Sequence, residues 1–133
     1  MLRTLLSEDA ILPFLLKDST LTAAQLDTLL CELDGLTNFT KLRERAAKRD
    51  HKSVSLGAYL RTKKQAYAKA RRTIKTILLL NYLSLISQDA LPSLHRVVQL
   101  LHQINRRDLT EAEKKQVINL LEETVKRIIV ISQ

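Results

Sequence analysis

The stretch that decides the fold runs from Ser55 to Ile86 and reads SLGAYLRTKKQAYAKARRTIKTILLLNYLSLI. It contains no proline, and its one glycine, Gly57, stands near its start. Serine favours a helix N-cap because its hydroxyl accepts from a first-turn N–H that has no partner within the helix. Ser55 followed by Leu56 therefore predicts the start of a long helix. At 100° per residue, Tyr59, Ala66, Ala70, Ile74 and Ile77 gather on one side, and Arg61, Lys64, Ala68, Arg72 and Lys75 on the other. Lys63 falls on the apolar side, so either its ammonium stretches back to water or the helix bends there. From Ile74 onward apolar residues occupy nearly every direction, which predicts a buried end. The run Ile74–Ile86 is broken by Lys75, Asn81 and Ser84 and falls short of the roughly 20 apolar residues that span a bilayer. It is expected in a core, not in a membrane.

Upstream, Thr22-Ala-Ala-Gln25 has capping-box spacing, and Leu26, Leu29, Leu30 and Leu33 follow at helical intervals. Gly35 is the expected stop of that helix. Residues 1–20 are apolar with a break at Pro13 and predict one or two short helices. Thr37 or Thr40 is the expected cap of a helix through Leu42, Ala46 and Ala47 to about Arg49, and residues 50–55 form a turn. Downstream, a helix is expected near Pro92 to Ile104, packing through Leu94, Val97, Val98, Leu101 and Ile104. Thr110-Glu-Ala-Glu113 is a second capping box, opening a last helix with Val117, Leu120, Leu121, Val125 and Ile128 inward. Its apolar end, Ile128 to Ile131, is expected to pack on another helix or another chain.

These elements amount to an all-α fold, a single-domain bundle of about six helices. Residues 1–36 are its N-terminal helices, 37–87 a basic segment with the long core helix, and 88–133 a C-terminal helical hairpin. Two glycines and two prolines in 133 residues argue the same way, since sheets need frequent tight turns. The one cysteine, Cys31, excludes an intrachain disulfide and reads as a buried helical thiol. No basic stretch followed by a long apolar run marks an export signal, so a cytoplasmic setting is expected.

The positive charge is concentrated. Between Lys41 and Lys75 stand thirteen Lys and Arg against two acids, Glu44 and Asp50, a local charge of +11, while the rest of the chain carries −3. Cations held at that density repel one another unless a polyanion neutralises them.

Within this segment, Val54-Ser55-Leu56-Gly57-Ala58-Tyr59-Leu60-Arg61, preceded by a helix and a turn, resembles the helix-turn-helix family of DNA-binding proteins. Ser53 stands where that family usually has glycine. The resemblance implies that the second helix enters the major groove of DNA with its N-terminal residues on base edges. Ser55, Gly57, Ala58, Arg61, Lys64 and Gln65 would then form the reading surface, with Arg61 on guanine or a phosphate and Gln65 on adenine. Lys52, Lys69, Arg72 and Lys75 would contact the DNA backbone, and Ser53, beside Lys52 at the turn, belongs to the same nucleic-acid-binding surface. The implied function is a transcriptional regulator or architectural factor on double-stranded DNA, associated with the nucleoid. The implied form is a homodimer, through the Ile74–Ile86 region or the C-terminal helix.

Two other partners fit the same basic face: RNA in a ribonucleoprotein complex, and an acidic protein for which the chain is a helical adaptor. Catalytic, metal and cofactor sites are not expected. The chain has no phosphate-cradling glycine-rich loop and no serine in a glycine-flanked turn. His95 and His102 share a helix face without a cysteine or carboxylate to complete a metal site. Tyr59 and Tyr67 lie on or beside the apolar side and read as packing residues, not as stacking platforms for bases.

Overall fold

The computed structural model describes residues 1–50 and 54–131. Among them, seven helices follow in order: α1 (Leu2–Glu8), α2 (Leu12–Lys17), α3 (Ala23–Thr37), α4 (Leu42–Ala47), α5 (Leu56–Tyr82), α6 (Ala90–Gln103) and α7 (Glu111–Ile128). The only strand-like pairing among the described residues is one bridge between Ile86 and Ile129. The chain is all-α, as expected, with one helix more than the sequence suggested.

Three of the helix starts are set by side chains that the sequence displays. At α3, Gln25 N–H donates to Thr22 Oγ1 at 3.2 Å, and Thr22 N–H donates to Gln25 Oε1 at 3.0 Å. At α5, Ala58 N–H donates to Ser55 Oγ at 3.1 Å. At α7, Glu113 N–H donates to Thr110 Oγ1 at 3.2 Å, but the Glu113 carboxylate accepts from the Thr110 hydroxyl at 2.9 Å, so the return arm of the box runs to the side chain and not to the Thr110 N–H. Each cap supplies a partner to a backbone donor that the helix leaves over, typically about 1 kcal/mol.

Three local expectations are corrected. Gly35 does not stop α3, which continues to Thr37; it is buried inside the helix. The chain turns four residues after Gly35, where Phe39 takes a φ of 54° and Thr40 N–H donates to Gly35 O at 3.0 Å. That 6→1 bond is the mark of a Schellman turn. The cap of α4 is neither Thr37 nor Thr40 but Lys41, whose N–H donates to Glu44 Oε2 at 3.1 Å. Pro13 does not break a helix; it sits in the first turn of α2, where its missing N–H costs nothing. Asp9 makes that start instead, its Oδ1 accepting from Ile11 N–H and Leu12 N–H at 2.9 and 3.1 Å.

The core is small. Cys31, Ala46 and Tyr59 are buried together where α3, α4 and α5 meet, with Met1, Leu42 and Val54 packed around them. The α6–α7 pair joins the rest through few polar links. Arg106 Nε donates to Asp9 Oδ2 at 2.8 Å, and Ala10 N–H donates to Arg106 O at 2.9 Å. Beyond α5, Ser87 N–H donates to Ile128 O and Val130 N–H to Leu85 O, both at 2.9 Å. The apolar end after α7 therefore meets the α5–α6 connection.

The largest correction concerns the end of α5. Ile74 is 65% exposed, Leu78 66%, Leu79 56% and Tyr82 85%, so much of the stretch expected in a core faces outward, while Ile86 is buried and Ile77, Leu80 and Leu85 are half-buried. Leu120 and Val125 of α7, expected inward, are exposed too, while Leu121 is buried. A single copy of the chain leaves these faces uncovered.

Candidate nucleic-acid interface

A buried carboxylate fixes how α5 is turned. Glu32, on α3, is almost fully buried. Its Oε1 accepts from the Tyr59 hydroxyl at 2.7 Å, and its Oε2 accepts from Lys63 Nζ at 2.9 Å and Arg45 Nη1 at 3.2 Å. Burial alone would raise the Glu32 pKa, but hydrogen bonds from Tyr59 and Lys63 and the charges of Lys63 and Arg45 outweigh it and hold the carboxyl below its ordinary value. Burial first, and then its bond to Glu32, pushes the Tyr59 phenol up. Lys63, misplaced by an apolar reading of its face, points inward because a carboxylate waits there.

Arg45 reaches Glu32 by lying across Gly35. A methyl at Gly35 would sit within 2.6 Å of Arg45 Cγ, closer than side chains pack, and would overlap the atoms beyond it. The glycine is therefore a slot for an arginine. Lys48 pairs with Asp34, and Arg49 is buried with its Nε 3.5 Å from Asp27. Asp27 also accepts from Leu2 N–H at 3.0 Å and Asp50 N–H at 2.9 Å.

Four of the thirteen clustered cations, Arg45, Lys48, Arg49 and Lys63, are thus neutralised by three acids of α3. Lys69 is half-buried and donates to Thr20 O at 3.0 Å, which draws it away from the surface assigned to it. Lys52 and Ser53 lie outside the described residues. The remaining cations on α5, Arg61, Lys64, Arg71, Arg72 and Lys75, are exposed and have no carboxylate within ion-pair distance among the described residues.

With Tyr59 and Ala66 fully buried against α3, the helical step turns Arg61, Lys64, Arg72 and Lys75 to the opposite side. Arg71 flanks them and was missing from the expected set; its place beside Lys64 and Lys75 on the wheel was the available signal. Gln65 and Gly57 are exposed, with no atom within 4 Å of where a Gly57 side chain would start. Ala58 is half-buried, and Ser55 is exposed but already engaged as the cap. From Arg61 to Lys75 the row is about 21 Å long at 1.5 Å per residue. Eight residues, 48–55, separate α4 from α5. A helix-turn-helix turn has three or four.

Among the described residues, no group of three or more His, Cys, Asp and Glu side chains is placed to hold a metal ion, and no helix is long and apolar enough to cross a membrane. Compared with protein-family models, with curated proteins and with solved structures, the chain matches none.

Proposed function

We propose that this protein binds the phosphate backbone of double-stranded DNA through the outward face of α5, as a regulator or architectural factor of the nucleoid. One observation carries this: among the described residues, five cations without a carboxylate partner stand in a row on one face of a continuous helix, while four neighbouring cations are paired with acids of α3. The row covers the length of about six base pairs at 3.4 Å per pair. Duplex DNA is favoured over duplex RNA because the B-form major groove admits an α-helix, whereas the A-form major groove is too deep and narrow for side chains to read. Arg61, Lys64, Arg71, Arg72 and Lys75 are assigned to phosphates, and Gln65, near the exposed N-terminal half of α5, to a base edge. A homodimer would present two such rows.

Fluorescence anisotropy with a labelled duplex, titrated at several NaCl concentrations, tests it. Five phosphate contacts give a slope of log K against log salt of about −4.5. Replacing Arg61 and Lys64 by Ala should bring the slope to about −2.7 and weaken binding about 60-fold at 0.1 M salt. Absence of binding at low salt, or an unchanged slope in the double variant, would overturn the assignment. Unlabelled duplex RNA that competes as well as DNA would move it to the RNA class.

A further inference from the structure

The outward face of α5 meets the demands of few base pairs. In the major groove a carboxylate reads cytosine, an amide reads adenine, a small apolar group reads the thymine methyl, and an arginine or lysine reads guanine when no phosphate holds it. From Leu56 to Tyr82, α5 has no aspartate or glutamate. Its three threonine hydroxyls are spent within the helix, Thr62 donating to Ala58 O and Thr73 to Lys69 O at 3.0 Å, and Thr76 to Arg72 O at 2.9 Å. The Tyr59 hydroxyl is held by Glu32, and Ser55 Oγ accepts from the Ala58 N–H.

Opposite Tyr59 and Ala66, within about 60° of the direction of Ala68, the helix presents the five cations of the row, Gln65, and three residues without a polar side-chain atom, Gly57, Ala68 and Leu79. Ala68 is half-buried, with Lys64 and Arg72 one turn to either side, so its methyl lies below their reach. Gln65 is exposed, and its amide has no hydrogen-bond partner among the described residues. It is the one neutral polar side chain of this face that is free to meet a base edge.

We infer that α5 takes duplex DNA of any sequence as its partner, an inference that rests on the DNA reading and narrows it. One amide fixes one base pair, and an adenine on either strand stands at about half of all positions. Counting Arg61 on guanine as well would fix two, a combination met about once in eight positions when the protein lies in either orientation. A duplex of about 20 base pairs therefore holds several equivalent registers for a row that covers about six. Target-reading proteins bind their sites about 10³- to 10⁷-fold tighter than other DNA. One or two contacts that every stretch of DNA can satisfy give no such ratio. What the row supplies is neutralisation of phosphates, which is the same for every sequence. The architectural role follows, and the reading of an operator does not.

The test uses the full chain and a set of labelled duplexes of about 20 base pairs, equal in base composition and scrambled in order. Their dissociation constants at one salt concentration should agree within about threefold. Lengthening a duplex from about 20 to about 60 base pairs raises the number of six-pair registers from about 15 to about 55, so the first copy should bind about fourfold tighter and further copies should follow it. Selection from a randomised duplex library should enrich no motif longer than two base pairs. A duplex preferred by more than about tenfold, an enriched motif of four or more base pairs, or an affinity indifferent to length would each overturn the inference and leave DNA binding intact. Failure to bind any of the duplexes at low salt would overturn the DNA reading itself, and this inference with it.

Discussion

Replacing Glu32 by Gln tests the buried carboxylate on which the orientation of α5 depends. The side chain is 3% exposed and accepts from a phenol, an ammonium and a guanidinium. Gln keeps the shape, removes the charge and presents an NH₂ to one of the cations. Breaking a buried pair by removing one partner costs about 3–5 kcal/mol. Lys63 and Arg45 retain 29% and 17% exposure and can turn partly to water, which argues for the lower end, about 3 kcal/mol. With an unfolding entropy of about 2.1 cal/mol/K per residue, that corresponds to a melting temperature lower by about 11 °C. The pH dependence follows from the lowered carboxyl pKa. A depressed folded pKa means that the contribution is fully present above the ordinary glutamate value, about 4.3, and is lost as pH falls through the lower folded value. Urea titrations by circular dichroism should therefore give a parent-to-variant gap that is constant from pH 8 to about 5.5 and shrinks below about pH 4.5. A gap under about 0.5 kcal/mol at pH 7, or one that persists unchanged in acid, would refute the role given to Glu32.

The two glycines should respond in opposite directions to alanine, read by the same urea titrations. Gly57→Ala, with open space around it, should gain up to about 1 kcal/mol from helix propensity. Gly35→Ala should lose about 1 kcal/mol net, because displacing Arg45 outweighs the same gain. The adjacent lysines should separate stability from binding: Lys63→Ala lowers the melting temperature with little change in the salt slope for DNA, and Lys64→Ala does the reverse. Cys31 is fully buried and its thiol is pushed up to about 11 by burial. An aromatic disulfide reagent at pH 8 should leave it unmodified in the folded chain and label it completely in denaturant, since the thiolate is both scarce and enclosed.

What the sequence displayed well was local. Thr22, Ser55 and Thr110 cap their helices because a capping hydroxyl needs only a neighbour two or three residues on, so the signal and its partner share one short stretch. The ion pairs were hidden for the opposite reason. Glu32 lies 13, 27 and 31 residues from Arg45, Tyr59 and Lys63, and nothing in α3 alone announces which cations will fold onto its acids. Gly35 misled because a glycine near a helix end usually marks a left-handed turn, and here it marks the passage of a side chain; Phe39 takes the left-handed position instead. The outward apolar end of α5 misled because apolar residues on nearly every side of a helix read as burial all round, and the rest of the chain packs on only part of that surface. Only the fold tells which faces remain uncovered.

Lys63 and Lys64 show why the charge concentration alone could not locate the exposed basic face. They are neighbours in sequence and equal in charge, yet one helical step of 100° sends the first onto Glu32 and the second to the surface. The acids of α3 therefore do two things at once. They neutralise the cations that would otherwise repel where α3, α4 and α5 meet, and by holding Tyr59 and Lys63 they fix the rotation of α5 about its own axis. That rotation is what turns the face bearing Arg61, Lys64, Arg72 and Lys75 outward. If α5 were rotated by one residue step, Lys63 would be freed and the row swung off its outward side, with the same composition and the same net charge. What sets the exposed basic face is thus the registry between a buried carboxylate and the helix that turns on it, and composition reports only the supply of charge.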